Sequence, residues 1–142
     1  MKKGFTLLEI LLVIAAIGIL AAIVIIAINP NRQLAQARDA ERIAETNSIY
    51  KAAEQYLIDT GDYPTGITNS YQEICAENAS DCSGLVDLSL LTPDYIAAIP
   101  SDPQATGNGS GYEIAISSIN NKISVIASNA EISDLIGLNQ FT

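Results

Sequence analysis

The sequence predicts an α+β fold in which a long N-terminal α-helix packs on a small antiparallel β-sheet. Three observations support this expectation: an unbroken apolar run near the N-terminus, a following stretch with apolar residues at helical spacing, and two alternating segments further along the chain. A chain of 142 residues has room for one such helix and one modest domain.

The apolar run is long enough to cross a membrane. Across residues 5–28 the only polar side chains are Thr6 and Glu9. At about 1.5 Å per residue this stretch forms a helix of roughly 36 Å, longer than a hydrocarbon core of about 30 Å. Lys2 and Lys3 precede the run, so the positive-inside rule keeps the N-terminus cytoplasmic and places the rest of the chain outside. From hydropathy alone, an uncleaved signal anchor remains open.

Glu9 is the unusual residue of this run. A carboxylate within a membrane span costs roughly 2.5–3.5 kcal/mol on insertion scales, and such residues usually have a partner. Residues 10–28 contain no group that can pair with it. Two interpretations stay open: the helix dipole favours Glu9 near the helix start while its side chain reaches the headgroups, or its partner is a free amino group created in a neighbouring chain by cleavage before Phe5.

Composition argues against several classes of function. From Asp59 onward the chain has eleven acidic residues and one basic residue, Lys122, which is unfavourable for direct nucleic-acid binding. Histidine is absent, and no nucleophile and base pair is recognisable, so we expect no enzyme activity and no cofactor.

The stretch KGFTLLEILLVIAAIGILAA resembles the N-terminal signature of type IV pilins and of the pseudopilins of type II secretion. The resemblance implies that a prepilin peptidase cuts between Gly4 and Phe5 and N-methylates Phe5. It also implies that Glu9 neutralises the new amino group of an adjacent subunit. Cleavage would leave five basic against sixteen acidic side chains.

The family implies a pilin-like fold and a structural subunit of a type IV pilus filament, a homo-oligomer that polymerises through its N-terminal helix. Its partners would be the membrane, the prepilin peptidase and the pilus or secretion assembly machinery. It would begin as a single-pass protein of the cytoplasmic membrane with an extracytoplasmic head and then enter an extracellular filament. Two alternatives remain: a pseudopilin of a secretion or DNA-uptake system, and a membrane-tethered binding domain that does not polymerise.

The chain then divides into four predicted segments. They are a leader (1–4), a membrane-spanning or filament-core helix (5–28), an amphipathic continuation of that helix (29–60) and a globular head (61–142). Gly18 and Pro30 are the candidate kink positions, because proline removes a backbone hydrogen bond and clashes with the preceding turn. We expect the kink near residues 26–30.

The amphipathic continuation shows a seven-residue apolar repeat. Ile43, Tyr50 and Leu57, with Ala53 between them, predict the face that packs on the head. Gly61 follows as a stop, in the left-handed cap conformation. The charged residues are expected mostly on other faces, either solvated or paired between subunits; they are Arg38, Asp39, Glu41, Arg42 and Glu45.

The head is predicted to contain a hairpin. Residues 112–119 and 122–128 alternate, and Asn120–Asn121 between them can supply a tight turn. Residues 106–111 are expected to form a loop before this hairpin. Prolines limit residues 88–103 to a short helical turn and extended chain, and residues 131–142 either add a strand or pack loosely.

Two cysteines lie in the part of the chain expected outside the cytoplasm. A bridge between Cys75 and Cys82 would contribute about 2–3 kcal/mol on the chain-entropy estimate. Four aspartates are candidate calcium ligands. Their spacing does not match a twelve-residue calcium loop, so no metal site is expected. They are Asp81, Asp87, Asp94 and Asp102.

Overall fold

A computed structural model describes residues 4–132 and 136–138 of the chain. It contains two compact units, Met1–Ala35 and Gln36–Thr142, and has the predicted α+β composition. Lys2 and Lys3 of the predicted leader lie outside the described residues, as does most of the C-terminal stretch. The elements are α1 (Leu7–Ile28), α2 (Pro30–Thr60), β1 (Gln72–Cys75), a 3-10 turn (Ser89–Leu91), β2 (Gly109–Ile116), β3 (Ile123–Ala127) and β4 (Ile136–Leu138).

Helix α1 begins with a side-chain cap that the sequence analysis missed. Thr6 is the N-cap residue, and its hydroxyl accepts a hydrogen bond from the Glu9 N–H at 3.3 Å. A threonine followed three residues later by glutamate is the sequence pattern of a capping box. The cap satisfies one of the free N–H groups of the first turn, so the start of α1 is encoded locally.

The long helix is interrupted once, at Asn29. This residue adopts a left-handed conformation with φ 47° and ψ 77°, and Pro30 is the first residue of α2. Proline suits the first helical position because the N–H that it lacks would be unpaired there. The interruption falls within residues 26–30, where the proline predicted it. Gly18 lies inside continuous helix, so a kink at that position stays a prediction.

The buried face of α2 agrees with the predicted one at Ala53 but differs from it in the first half of the helix. Ile43 is 47% exposed, whereas Arg42 is fully buried and Asp39 is 6% exposed. The buried positions run Asp39, Arg42, Thr46, Ile49, Ala52 and Ala53, which is still a helical repeat. The prediction that Asp39 and Arg42 face elsewhere is therefore wrong, because charged partners from the head accompany them into the interior.

Helix α2 ends as the sequence predicts. Gly61 has φ 89°, and its N–H donates to the Leu57 carbonyl at 2.8 Å. Only glycine adopts this conformation at little steric cost, so Gly61 forms the cap and turns the chain away from the helix.

The four strands form one antiparallel sheet in the order β1-β2-β3-β4. All five residues of β3 are buried, so both of its faces are covered. Ile49 of α2 belongs to the same core cluster as Ile74, Tyr112 and Val125 of the sheet. The predicted packing of α2 against a sheet is confirmed: Ala53 lies in the core and Tyr50 packs against it, whereas Ile43 is exposed.

The hairpin is present, but its boundaries differ from those predicted. Its last paired residues are Ile116 and Ile123, so the connection is the loop 117–122 and not a two-residue turn. Asn121 does take a positive φ, 52°. The Ser117 N–H donates to the Lys122 carbonyl across the base of the loop, and the Ser117 hydroxyl accepts from the Ile119 N–H.

Two further strand assignments differ from the sequence analysis. Residues 109–111, predicted as loop, begin β2, because β1 pairs with them across a register shift next to Cys75. Strand β1 was not predicted at all. The undecided C-terminal stretch contributes β4, which pairs with β3. The 3-10 turn Ser89–Leu91 confirms the short helical turn.

Cys75 and Cys82 form a disulfide, as the sequence predicts. Their Cα atoms lie 5.5 Å apart, and Cys75 is the last residue of β1. The bridge therefore closes the turn that follows the edge strand of the sheet.

Candidate functional site

Phe5 and Glu9 lie on one surface of the first unit. They line a shallow recess on α1 together with Ile10, Val13 and Ile14. Phe5 is 79% exposed. Glu9 occupies the first turn of α1, where the positive end of the helix dipole favours a carboxylate. Of the predicted processing and assembly residues, the structure thus brings Phe5 and Glu9 together.

The surroundings of Glu9 are apolar and exposed. None of the residues of α1 is buried, and its side chains are aliphatic apart from Glu9 and Gly18. Within the described part of the chain, α1 is the one helix long and apolar enough to cross a membrane. Such a surface is stable in lipid or against other apolar helices, and a carboxylate on it favours a cationic partner.

A second group of charged residues lies inside the unit formed by Gln36–Thr142. The guanidinium of Arg42 donates to both oxygens of Asp102, with Nε–Oδ2 at 2.6 Å and Nη2–Oδ1 at 3.1 Å. It also donates to Asp39 at 2.8 Å and to the Gln104 side-chain oxygen at 2.7 Å. Because arginine presents five N–H groups in a rigid fork, one side chain can hold all three partners.

The same network holds the chain that follows β3. The Asp39 carboxylate accepts the backbone N–H groups of Glu131 and Ile132 at 3.0 and 2.9 Å. Arg38 donates two parallel hydrogen bonds to the Glu131 carboxylate, at 2.6 and 2.9 Å. The network therefore connects α2 to segments that are about 60 and 90 residues away in sequence, which is why sequence spacing did not reveal it.

The pKa values in this network follow from its pairing. Burial alone would raise the pKa of the Asp102 carboxyl, but hydrogen bonds from Arg42 and from the Gln104 N–H hold it below its ordinary value. Asp39 behaves alike: burial opposes ionisation, and donors from Glu131, Arg42 and Ile132 lower its pKa. The Asp102 hydrogen bonds raise the pKa of Arg42. All three groups are therefore ionised near neutral pH.

Two tyrosine and glutamate pairs join α2 to the head. Tyr112 donates to Glu45, and Tyr63 donates to Glu54. Burial, and then the neighbouring carboxylate, raises the pKa of each tyrosine. Burial also raises the pKa of Glu45, although the hydrogen bond from Tyr112 opposes this. These hydroxyls stay protonated and act as structural donors.

Residues 4–132 and 136–138 show no cluster of three or more histidine, cysteine, aspartate or glutamate side chains that could hold a metal ion. Arg42, which sequence reasoning placed on a solvated or intersubunit face, is instead the centre of the internal network. The signal that could have revealed it is the spacing Asp39, Arg42, Thr46, Ile49, which is a helical stripe when charged residues are included.

Comparison with known proteins adds an independent observation. Residues 1–28 match the family model described as the prokaryotic N-terminal methylation motif. The type II secretion system core protein G of Escherichia coli K12 is 32% identical over 110 residues, which cover 72% of this chain and 66% of that protein. These matches make the chain similar to type IV pilins and to the pseudopilins of type II secretion.

Other proteins that are similar to this chain include named pilins. The type IV major fimbrial protein FimA of Dichelobacter nodosus is 29% identical over 136 residues, covering 92% of this chain and 74% of that protein. The type IV major pilin protein PilE1 of Neisseria gonorrhoeae is 36% identical over 70 residues, covering 49% and 41%. The chain spans less than two thirds of the length of the Escherichia coli and gonococcal proteins. No solved structure matches it.

Proposed function

We propose that this chain is the structural subunit of a type IV filament and that it polymerises through α1. The observation that carries the proposal is the match of residues 1–28 to the methylation motif, on a helix whose whole apolar surface is exposed. A helix of this kind needs either lipid or other apolar helices around it. A bundle of the same helix from many copies supplies the second environment.

Processing creates the charge that Glu9 requires. Cleavage between Gly4 and Phe5 frees an amino group at Phe5, and the family's N-methylation leaves that group cationic. A neighbouring copy displaced by about one helical turn would bring this amino group to the depth of Glu9. The Thr6 side chain accepts the Glu9 backbone N–H, which places Glu9 in the first turn of α1. The proposed role is structural and includes no catalytic step.

Before assembly, α1 would anchor the chain in the cytoplasmic membrane. Lys2 and Lys3 favour a cytoplasmic N-terminus, and the disulfide is compatible with an oxidising compartment for the head. Removal of the leader also removes both lysines, which lowers the cost of drawing α1 out of the bilayer into a filament.

A pseudopilin of a secretion machine is the second candidate. It is favoured by the similarity to core protein G of Escherichia coli, which covers 72% of this chain. Both candidates use the same processing and the same α1 contacts. Surface filaments at native expression would favour the pilin, and protein secretion that depends on this chain without surface filaments would favour the pseudopilin.

The test is Glu9→Ala, with Glu41→Ala on the exposed part of α2 as a matched control. We expect Glu9→Ala to lose at least about 90% of assembled filaments, because an unpaired amino group would be buried among apolar helices. Membrane insertion should remain intact, since the substitution makes α1 more apolar. Filaments of normal abundance from Glu9→Ala, counted by electron microscopy, would refute the proposal.

A second experiment separates the filament subunit from a tethered binding domain. Gly4→Leu should block cleavage and prevent assembly, whereas a merely tethered domain would be unaffected. Intact mass of protein from the native membrane should show loss of residues 1–4 and one added methyl group. A full-length mass in cells with an active prepilin peptidase would contradict the processing step.

A further inference from the structure

The loop between β2 and β3 presents an apolar side chain directly to solvent. Among the described residues, Ile119 has the largest exposed fraction of any large hydrophobic side chain, 93%. This exceeds the exposure of every large hydrophobic side chain of α1, where the largest value is 81%, at Ile26. An isolated exposed isoleucine is common on protein surfaces, so its meaning depends on how it is held and on what surrounds it.

Hydrogen bonds within the loop hold Ile119 outward. The Ser117 N–H donates to the Lys122 carbonyl at 2.8 Å, and the Asn121 N–H donates to the Ser117 carbonyl at 3.0 Å. The Ile119 N–H donates to the Ser117 hydroxyl at 3.2 Å. Because the backbone is fixed in this way, Ile119 is preorganised for contact.

The same loop carries an unusual charge. Lys122 is the one basic residue from Asp59 onward, where eleven residues are acidic, and its side chain is exposed. We call Ile119 and Lys122 together the loop tip. A cationic and apolar tip on an otherwise anionic head is complementary to the acidic surface of another copy of the same chain.

A complementary surface exists at the end of α2. Ile58 is 73% exposed, the highest value for a large hydrophobic side chain within α2, and exposed Asp59 follows it. Tyr95 packs edge to face on Tyr56, with ring centroids 5.5 Å apart, and lies near Asp59. We call Ile58, Asp59 and Tyr95 the helix-end patch. It offers one apolar and one anionic group side by side, as the loop tip offers an apolar and a cationic one.

We propose that the loop tip of one copy docks on the helix-end patch of a second copy. The inference rests on the proposed function and deepens it by assigning a contact between the globular heads of two copies within the filament. The two surfaces are different, so the contact is heterologous, and repeated heterologous contacts that do not close produce an open helical assembly. An exposed ion pair contributes little by itself. Ile119 therefore provides the main contact with Ile58, while Lys122 and Asp59 set its orientation.

Cysteine cross-linking of the full chain in its native membrane tests the contact. The native cysteines are joined in a disulfide, so new thiols can be introduced as Ile58→Cys and Ile119→Cys. The double variant should form a ladder of trimers and longer oligomers under mild oxidation. Each single variant is the matched control and can form dimers at most. A double variant without oligomers beyond those of the single variants overturns the proposal.

Charge reversal tests the orientation in the same cross-linking background. Lys122→Glu and Asp59→Lys should each reduce the ladder by about tenfold, and combining them should restore it, since the pair is then reversed. Lys51→Glu is the control, because it makes the same charge change on an exposed residue of α2 outside both surfaces. Equal loss from Lys51→Glu and Lys122→Glu would show a general effect of net charge and would contradict the specific pairing.

The outcomes also separate this contact from the proposed function. Normal filaments without a ladder would refute the head contact and leave the filament role intact. A ladder that persists while Glu9→Ala still assembles filaments would refute the role of Glu9 and support the head contact. Cross-linking of Ile119→Cys to a different protein, or its shielding by lipid, without the ladder would assign the loop tip to another partner and overturn the proposal.

Discussion

At the scale of single residues, Arg42 is the most consequential side chain of the second unit. It is fully buried and hydrogen-bonded to Asp39, Asp102 and Gln104. Placing charges in a protein interior is costly, and the cost is offset here because each guanidinium nitrogen of Arg42 has an oxygen partner. Removing one member of such a network leaves the others buried without a counter-charge.

We therefore predict that Arg42→Met lowers the free energy of unfolding by about 3–5 kcal/mol. Arg38→Met removes a half-exposed arginine of the same helix and should have a much smaller effect, because ion pairs in contact with water contribute little. Urea unfolding of the detergent-solubilised chain can be followed by tyrosine fluorescence. The chain has no tryptophan, and all six tyrosines lie at or after residue 50, so the signal reports the second unit. Equal effects of the two substitutions would contradict the assigned role of Arg42.

At the scale of elements, the start of β2 depends on a glycine that the sequence analysis placed in a loop. A Cβ atom at Gly109 would lie 2.0 Å from the Glu73 carboxylate oxygen, and that oxygen accepts the Gly111 N–H at 3.0 Å. Glu73 belongs to β1, so the space that Gly109 leaves open allows a side chain of one strand to bind the backbone of the next.

We predict that the effect of Gly109→Ala on the free energy of unfolding depends on whether Glu73 is present. Gly109→Ala alone should destabilise the chain by about 1–2 kcal/mol, because Glu73 must move and its hydrogen bond to Gly111 is lost. With Glu73→Ala already present, the same substitution should be neutral or stabilise by up to about 1 kcal/mol, since alanine loses less backbone entropy than glycine. A double-mutant cycle from urea unfolding measures the coupling. Additive effects would show that the two residues do not interact.

The disulfide links the end of the edge strand β1 to the turn that follows it. Replacing both Cys75 and Cys82 by alanine should lower the free energy of unfolding by about 2–3 kcal/mol on the chain-entropy estimate for so short a loop. Reducing agent should destabilise the parent chain by a comparable amount and leave the double variant unchanged. The unfolding midpoint with and without reductant provides the measurement, and a double variant that still responds to reductant would contradict this account.

At the scale of the whole molecule, the chain has sixteen acidic and seven basic residues, so each basic residue has several possible acidic partners. Two arginines of α2 hold carboxylates from α2, from the loop before β2 and from the chain after β3. The network thereby fixes three segments that are distant in sequence. Lys122 is exposed on the head and gives the loop tip its positive charge.

The network makes stability depend on pH in a defined direction. Asp39 and Asp102 have folded-state pKa values below their ordinary value of 3.8, and Glu131 lies below 4.5. A depressed folded-state pKa contributes stability above the unfolded-state pKa and loses it as the pH falls through the folded-state value. Glu45 opposes this, because its raised pKa favours the folded state at low pH.

We therefore predict that the free energy of unfolding is constant from about pH 5 to 7 and falls steeply below about pH 4. In that range the loss from Asp39, Asp102 and Glu131 exceeds the gain from Glu45. Arg42→Met should flatten this dependence, because Asp102 then loses the main donor that lowers its pKa and Asp39 loses one of its donors beside the Glu131 N–H. Unfolding midpoints measured between pH 3 and 7 for both chains provide the comparison. An unchanged pH profile in Arg42→Met would contradict the network as its source.

The local features of this protein follow from short stretches of its sequence. The apolar run, the threonine before Glu9, Pro30 at a helix start and Gly61 at a helix end each act through neighbours within a few residues, so their effect can be predicted from order alone. The presence of a hairpin and of a short cysteine-closed loop followed from local pattern in the same way.

The buried face of α2 and the ends of the strands depend on contacts between segments that are distant in sequence. The heptad of apolar residues favoured Ile43, but Arg42 is buried instead because Asp102 and Glu131 reach it from distant segments. Strand β1 has four residues, and its pairing with Gly109 depends on Glu73 fitting over a glycine. Long-range charge pairing and strand register involve partners that no local pattern specifies. They can therefore be assigned from the folded structure but not from the order of residues.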